Sequence, residues 1–473
     1  MDRASDTEAE RIRDLFENIT IEEAHDDEVS DVPTESDFSS DKTFRLAPNA
    51  LKLRSLIPAT KRTASHPKRF SWSTDSKTEN VISNISQPYP PLIAREDFDD
   101  GWTECIIRLG TNNKIKQIEG FPMPLQRSKV PAYHIKETDD IGLGMFAARR
   151  MGISDLILNE RPLVLGPLTV DPNKPIDMEG YLEKALNRLP AARAAKYRAL
   201  FDCHTGTECA EGDGSGDSTL FGIFRTNAFR VDNLYDSDPT DDDGLYCAVG
   251  ENTSRINHSC RPNALVSFHL ESFSFQVRAI RQIEEGEEIA IPYCDIMLPH
   301  EERDEIFRNF HFECVCQSCQ DPAASNAIRS TITSPSAIFK QWLDDRSLPG
   351  DYVIRHSLSQ IDTMLREGME GSAVYGEHLQ AIMESYICLG DSGLASIWGV
   401  KLGRALLASA GDTKNLELMS DVHLYSSHQA WQSRMKNKSK KKRKGKKSKG
   451  QKERHIDNAS AEDGEVGNVS EDE

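Results

Sequence analysis

Three cysteines within six residues, Cys314, Cys316 and Cys319, constrain this chain more than any other feature. Thiols spaced Cys-x-Cys-x-x-Cys can converge on one point. Zinc takes four soft ligands in a tetrahedron at about 2.3 Å, so three close thiolates leave one ligand to find. Cys260 is the candidate, inside the run Arg255-Ile256-Asn257-His258-Ser259-Cys260-Arg261-Pro262-Asn263. Four sulfurs would make a closed, structural site rather than one with a position open for chemistry. Plain reduced cysteines are the other reading of the spacing. The chain has ten cysteines. Its first residues are acidic with no apolar signal-type stretch, so a cytosolic or nuclear setting is expected. There thiols stay reduced or bind metal instead of pairing.

Charge is distributed in blocks. The 57 Lys/Arg against 76 Asp/Glu give a net −19, which on average argues against a nucleic-acid partner. Residues 1–42 hold fifteen acidic and four basic side chains. They read as a solvated acidic tail with one marginal helix, Arg11 to Ala24. Residues 43–90 are basic, rich in Ser, Thr and Pro, and read as linker. Residues 434–454 hold thirteen Lys/Arg and one Glu; taking that +12 from −19 leaves −31 on the remainder. This block is a nuclear-localisation signal, a non-specific nucleic-acid contact or a solvated tail. Base-specific reading is not expected, because no aromatics are interleaved with it. No run of about 18 apolar residues exists, so no membrane-spanning helix is expected.

Between the tails the patterning is β-like first and helical later. Residues 103–120 alternate loosely and suggest a hairpin turning at Gly110-Thr111-Asn112-Asn113. Strands are expected at Tyr133–Lys136, Met145–Ala148, Leu156–Leu158, Leu163–Leu165, Leu220–Phe224, Ala264–His269, Phe273–Ala279 and Glu288–Tyr293. A helical insert is expected over residues 177–201. From about Pro335 the period becomes helical: Ala337–Leu343, Tyr352–Arg366, Ala373–Leu389, Gly393–Ala408 and Leu416–Met435. That layout is similar to a tetratricopeptide-type array, an ordinary helical bundle being the other reading.

Three segments carry candidate chemistry. Gly142-Leu143-Gly144 would let backbone approach a ligand, or is a turn needing positive φ. Ala147 stands where a dinucleotide-binding Gly-x-Gly-x-x-Gly would need its last glycine. The second segment is Arg255 to Asn263, and the third is Gly286-Glu287-Glu288-Ile289-Ala290-Ile291-Pro292-Tyr293 leading to the cysteines. In this order and at these intervals, the segments resemble a SET-domain protein lysine methyltransferase, over residues 130 to 320. The resemblance is to SMYD-type and fungal SET proteins, which share a cysteine-rich post-SET segment and a helical C-terminal region. No ladder of ligands for the MYND finger of SMYD proteins is visible; Cys203, His204 and Cys209 are too few.

The resemblance implies an α+β chain: a β-rich SET fold with a knot-like crossing, a helical insert, a post-SET zinc segment and a C-terminal α-helical region. Together with the composition of the tails and the patterning between them, it gives these parts: a disordered acidic tail and linker (1–100), a hairpin extension (101–129), the SET domain (130–300), the post-SET zinc segment (301–322), the helical domain (334–433) and a disordered tail, basic then acidic (434–473). It implies methyl transfer from S-adenosylmethionine to a lysine of a protein substrate, histone or non-histone; the Lys/Arg block points to the nucleus, with the cytoplasm also open as a setting. Tyr293 would orient the amine. Gly142, Leu143, Gly144, Met145, Asn227, Asn257, His258 and Phe312 would hold the cofactor, with Asn227 on its carboxylate and Phe312 on adenine. Structural zinc would sit on Cys260, Cys314, Cys316 and Cys319. The alternative is a catalytically silent SET-fold scaffold recruiting partners through the helical region and tails.

Overall fold

The computed structural model describes residues 85–89 and 101–435, apart from 108, 129, 139–141, 168–176, 206–218, 236–244 and 412. The marginal helix at Arg11 to Ala24, Cys209 and the Lys/Arg block from residue 436 onward lie outside them.

Three sheets build the first part. β1 (Ile85–Tyr89), β2 (Thr103–Ile107), β6 (Val164–Pro167), β8 (Leu245–Val249) and β7 (Phe229–Tyr235) lie side by side in the order β1-β2-β6-β8-β7. β10 (Ala264–His269), β11 (Ser274–Ala279) and β5 (Leu156–Glu160) form a second sheet in that order. The third has the order β3 (Tyr133–Glu137), β4 (Leu143–Ala147), β12 (Glu288–Ile291), β9 (Asn257–His258). One apolar core joins them, with Met145, Phe229, Phe268, Phe275, Val277, Ile289 and Ile291 among its buried members.

Two expected strands are corrected. Residues 109–115 are a helix, α1 (Leu109–Ile115), where a hairpin turn was expected. β2 is buried at every position and pairs with β1 and β6, so it does not need a hairpin partner following it. Thr111 and Asn112 go into the interior, with Thr111 Oγ1 3.2 Å from the Tyr246 hydroxyl. The strand β1 also falls inside the stretch read as linker. Leu220 to Phe224, read as a strand, is the start of a helix, α4 (Leu220–Asn227). Thr219 caps it by accepting the Gly222 N–H at 2.8 Å. The helical insert is α2 (Met178–Leu186) and α3 (Ala191–Arg198), divided at Pro190. With α4 it encloses a second core around Leu182, Leu186, Tyr197 and Phe224.

After β12 come α5 (His300–Arg308), α6 (Gln317–Gln320) and α7 (Pro322–Ser330). The period-3.6 region gives α8 (Ser336–Asp344), α9 (Tyr352–Glu367), α10 (Ala373–Leu389) and α11 (Ser392–Ala410) within two residues of expectation. Gly368, Gly390 and Gly411 end the last three in the left-handed region, φ +69°, +78° and +70°. The expected final helix is instead two, α12 (Thr413–Ser420) and α13 (Val422–Ser427). Asp421 breaks the run and caps the second piece through the His423 N–H. Arg434, expected to open the basic tail, packs on the helical region. Arg434 donates to the carbonyls of Trp342, Asp345 and Leu348 and lies over the Trp342 ring at 4.5 Å.

The helical region is docked. Arg329, 3% exposed, donates to Glu367 Oε1 at 3.0 Å, to Ser318 Oγ at 3.1 Å and to the Cys260 carbonyl at 3.3 Å. It also donates to the Ile296 carbonyl. Ser318 and Ser325 complete the ring of donors to Glu367 at 2.8 and 2.6 Å. The end of α9, the cysteine segment and the Cys260 turn thus share one buried ion pair. Replacing Arg329 by Met removes the cation and leaves the Glu367 carboxylate buried. The expected cost is about 3–5 kcal/mol, read as a lowered thermal midpoint. An unchanged midpoint in the variant would show that the pair does not hold the two parts together.

Candidate active site

β12 is the spine of the site. Its first half pairs antiparallel with β4, Glu288 opposite Phe146 and Ile289 opposite Met145. Its second half pairs parallel with β9, Ala290 opposite Asn257 and Ile291 opposite His258. Asn263 locks this arrangement. Its side chain donates to the Glu288 carbonyl at 2.8 Å and to Glu287 Oε1 at 2.9 Å, and accepts the Ala290 N–H at 2.8 Å. Its burial is nearly complete, 1% exposed. An amide suits this place because it donates and accepts at once. The sequence reading quoted Asn263 without a role; its place beside β12 is a tertiary fact.

Asn257 holds the edge toward β4. Its Nδ2 donates to Glu288 Oε1 at 2.8 Å and to the Leu143 carbonyl at 3.3 Å. Gly144 is explained by the same contact. A Cβ there would lie 2.7 Å from Glu288 Oε1 and 3.1 Å from Asn257 Nδ2. Gly142 has φ +78° and open space around it. Leu143 is exposed, while Met145 is wholly buried in the core and offers only backbone to a ligand. Asn227 sits at the end of α4, 4% exposed, with both Nδ2 hydrogens engaged by the Phe201 and Ile223 carbonyls, at 2.6 and 2.8 Å. A carboxylate needs a donor, so this geometry leaves the Asn227 Nδ2 no hydrogen for one.

Beyond β12 the chain enters an aromatic cluster. The Tyr293 hydroxyl donates to the Ile256 carbonyl at 2.7 Å. Its ring lies 5.2 Å from the His258 ring and 6.1 Å from both Phe310 and Phe312. Phe312 stacks on Phe307 at 5.1 Å, and Phe307 is 4.4 Å from His258. Burial, then the Glu288 charge, pushes the Tyr293 phenol well above its ordinary range. It is therefore a neutral hydroxyl, able to orient a partner and not to act as a base.

The four cysteines meet beside this cluster. Their sulfurs lie within 4.8 Å of one another. Cys260 Sγ is 3.9 Å from Cys314 Sγ and 3.6 Å from Cys319 Sγ. A tetrahedron with metal–sulfur bonds of about 2.3 Å has edges of about 3.8 Å, so the thiols fit zinc. Four thiolates at this spacing repel one another, and a cation relieves that. The protons are unequally held: hydrogen bonds with the other three cysteines push Cys260 up, and hydrogen bonds with Cys260, Cys314 and Cys319 pull Cys316 down. Arg303, fully buried, points Nη2 at Cys319 Sγ at 3.9 Å. Burial lowers its pKa, but the Cys260 and Cys319 sulfurs outweigh that and raise it. Neither Arg303 nor Arg329 was singled out from sequence, because nothing local in α5 or α7 marks an inward-facing arginine. Cys203, by contrast, is bonded to Thr226 and the Asn309 carbonyl. Among the described residues the four-thiol group is the metal-capable cluster.

One comparison with known proteins falls on these same elements. Residues 142–294, from the turn before β4 to the residue after Tyr293, match the SET domain family. That match covers about a third of the chain. The chain is 28% identical to the histone-lysine N-methyltransferase set5 of Schizosaccharomyces pombe, over 40% of this chain and 50% of that protein. It is 25% identical to the human N-lysine methyltransferase SMYD2, over 48% of this chain and 60% of that protein. The chain thus spans about half the length of these two relatives. Among solved structures it is similar to the Neurospora SET domain protein DIM-5, a histone lysine methyltransferase. There the identity is 16% and the TM-score 0.19, over 46% of this chain and 72% of that one.

Proposed function

We propose that this chain is a protein-lysine N-methyltransferase using S-adenosylmethionine. The observation that carries the reading is the meeting of β4 and Asn257–His258 on the single strand β12, with Tyr293 just past its end, beside a four-thiol site. The similarity to set5 and SMYD2 supports it. A lysine amine attacks only when neutral, and free lysine has a pKa of about 10.4. Tyr293 stays protonated, so the amine loses its proton elsewhere, to water. Apolar surroundings of the kind Phe307, Phe310 and Phe312 provide favour the neutral amine. The rigid hydroxyl of Tyr293, tied to the Ile256 carbonyl, then contributes by orienting the nucleophile.

Zinc would be held by Cys260, Cys314, Cys316 and Cys319. A closed four-sulfur site supplies folding, not chemistry. Its part here is to fix Phe312 and the chain around it against His258 and Phe307. Leu143, Gly144 and His258 offer backbone, and Asn257 its amide oxygen, to the sulfonium substrate. Asn227 acts by holding the Phe201 and Ile223 carbonyls. The protein substrate is a lysine-bearing chain, histone or non-histone. The nuclear address of residues 434–454 rests on composition, and a fusion lacking 436–454 that still enters nuclei would remove it.

Calorimetry with S-adenosylmethionine, followed by transfer of a labelled methyl group to histones and to cell extract, tests the reading. Binding and lysine labelling are expected. Absence of both from folded, zinc-loaded protein would return the chain to the scaffold alternative, which no observation favours.

A further inference from the structure

The His258 ring touches the sulfur cluster with one nitrogen and the Tyr293 backbone with the other. Nδ1 accepts the Tyr293 N–H at 2.9 Å. A backbone N–H can only donate, so Nδ1 carries no proton. In the neutral ring the proton is then on Nε2, which lies 3.3 Å from Cys260 Sγ. The ring is clamped between Phe307 at 4.4 Å and Tyr293 at 5.2 Å, so it has little freedom to turn away. The tyrosine is thereby fixed twice to one short segment, by its N–H to His258 and by its hydroxyl to Ile256.

We propose that His258 is a positioning residue that joins the zinc centre to Tyr293. Its Nε2–H donates to the metal-bound Cys260 sulfur while its Nδ1 holds the Tyr293 backbone. This rests on the zinc and tyrosine readings above and adds to them a direct path between the two. A hydrogen bond to a thiolate is charge-assisted, and it draws electron density from the sulfur. Partners of this kind orient metal ligands, and their removal typically weakens metal binding by about 10–100-fold. Loosening at the cysteines would reach Tyr293 through one ring, without passing through Phe312.

The test uses the full chain with cobalt(II) in place of zinc, and two substitutions. His258→Asn keeps an acceptor where Nδ1 stands and removes the donor to sulfur. His258→Gln places an N–H near the position of Nε2. The sulfur-to-cobalt charge-transfer band is expected to move to longer wavelength in His258→Asn. The zinc-loaded form of that variant is expected to release metal to a chelator about tenfold faster. His258→Gln is expected to return both readouts toward wild type. A folded His258→Asn protein with the wild-type band and the wild-type release rate overturns the inference and leaves the zinc site standing. A wild-type chain with no sulfur-to-cobalt band overturns the zinc reading, and the inference with it.

Discussion

Tyr293→Phe is expected to lower methyl transfer by about 100-fold while leaving S-adenosylmethionine affinity within about threefold. The substitution keeps the ring, and so keeps the packing on His258, Phe310 and Phe312. It removes only the hydroxyl, which donates to the Ile256 carbonyl at 2.7 Å. Two losses follow. The nucleophile loses the oriented oxygen, and Ile256 is left with an unpaired buried carbonyl at a cost of about 1–3 kcal/mol. The first falls on turnover and the second on stability, so they separate. Single-turnover transfer from labelled cofactor reads the first, and thermal unfolding reads the second. Because the phenol is held neutral by burial and by Glu288, no rise in wild-type activity from tyrosine ionisation is expected as pH passes 9. A Phe variant that transfers methyl groups at the wild-type rate would take Tyr293 out of the chemistry.

Cys314→Ser is the second large effect. One of four sulfurs is replaced by a hydroxyl, which zinc binds far less well. Structural zinc in small peptides contributes about 10–16 kcal/mol of folding free energy, so even part of that is decisive for a short segment. The loss should be local. The cysteine segment has little apolar burial of its own: Val315 is 75% exposed. The core around Phe275 and Ile289 is built mainly from the sheets, with Phe312 and the three cysteines only partly buried against it. Metal analysis should find no bound zinc in the variant. Limited proteolysis should cut near 312–320, and cofactor affinity should fall with it. Cys388→Ser is the control, because Cys388 belongs to the separate cluster around Trp342. Retained zinc in Cys314→Ser would mean that the four thiols do not form the site.

How legible each element was depended on how local its cause is. α9, α10 and α11 came out of the sequence almost to the residue. Their apolar faces repeat at the helical period, and a glycine closes each one. Leu220 to Phe224 was misread because a short apolar run fits a buried strand as well as a helix. The Thr219 cap was the signal that could have decided it. β7 and β8 were missed for a related reason. β8 is a short buried run without alternation, and β7 alternates only over Phe229-Arg230-Val231-Asp232 before the pattern lapses at Asn233. The cysteines stood out as one residue type at a close interval, because metal chemistry restricts which side chains can serve, while Asn257, His258 and Tyr293 took their expected roles from the resemblance to SET-domain proteins.

The sequence by itself determined the chemistry available: four thiols, one tyrosine, a turn of hydrogen-bonding side chains and a helical C-terminal region. Spacing and residue type are local properties, and they survive unfolding. Only the tertiary structure decided how these groups act on one another. It brought Cys260 to cysteines more than fifty residues away. It committed the Asn227 Nδ2 to two backbone carbonyls. It turned the His258 ring so that one nitrogen faces sulfur and the other faces Tyr293. It also buried the Arg329–Glu367 pair that fastens the helices to the cysteine segment. The reason is that a hydrogen bond or a coordination shell is a condition on distance and direction. Residues far apart in the chain meet that condition only when the core between them is packed.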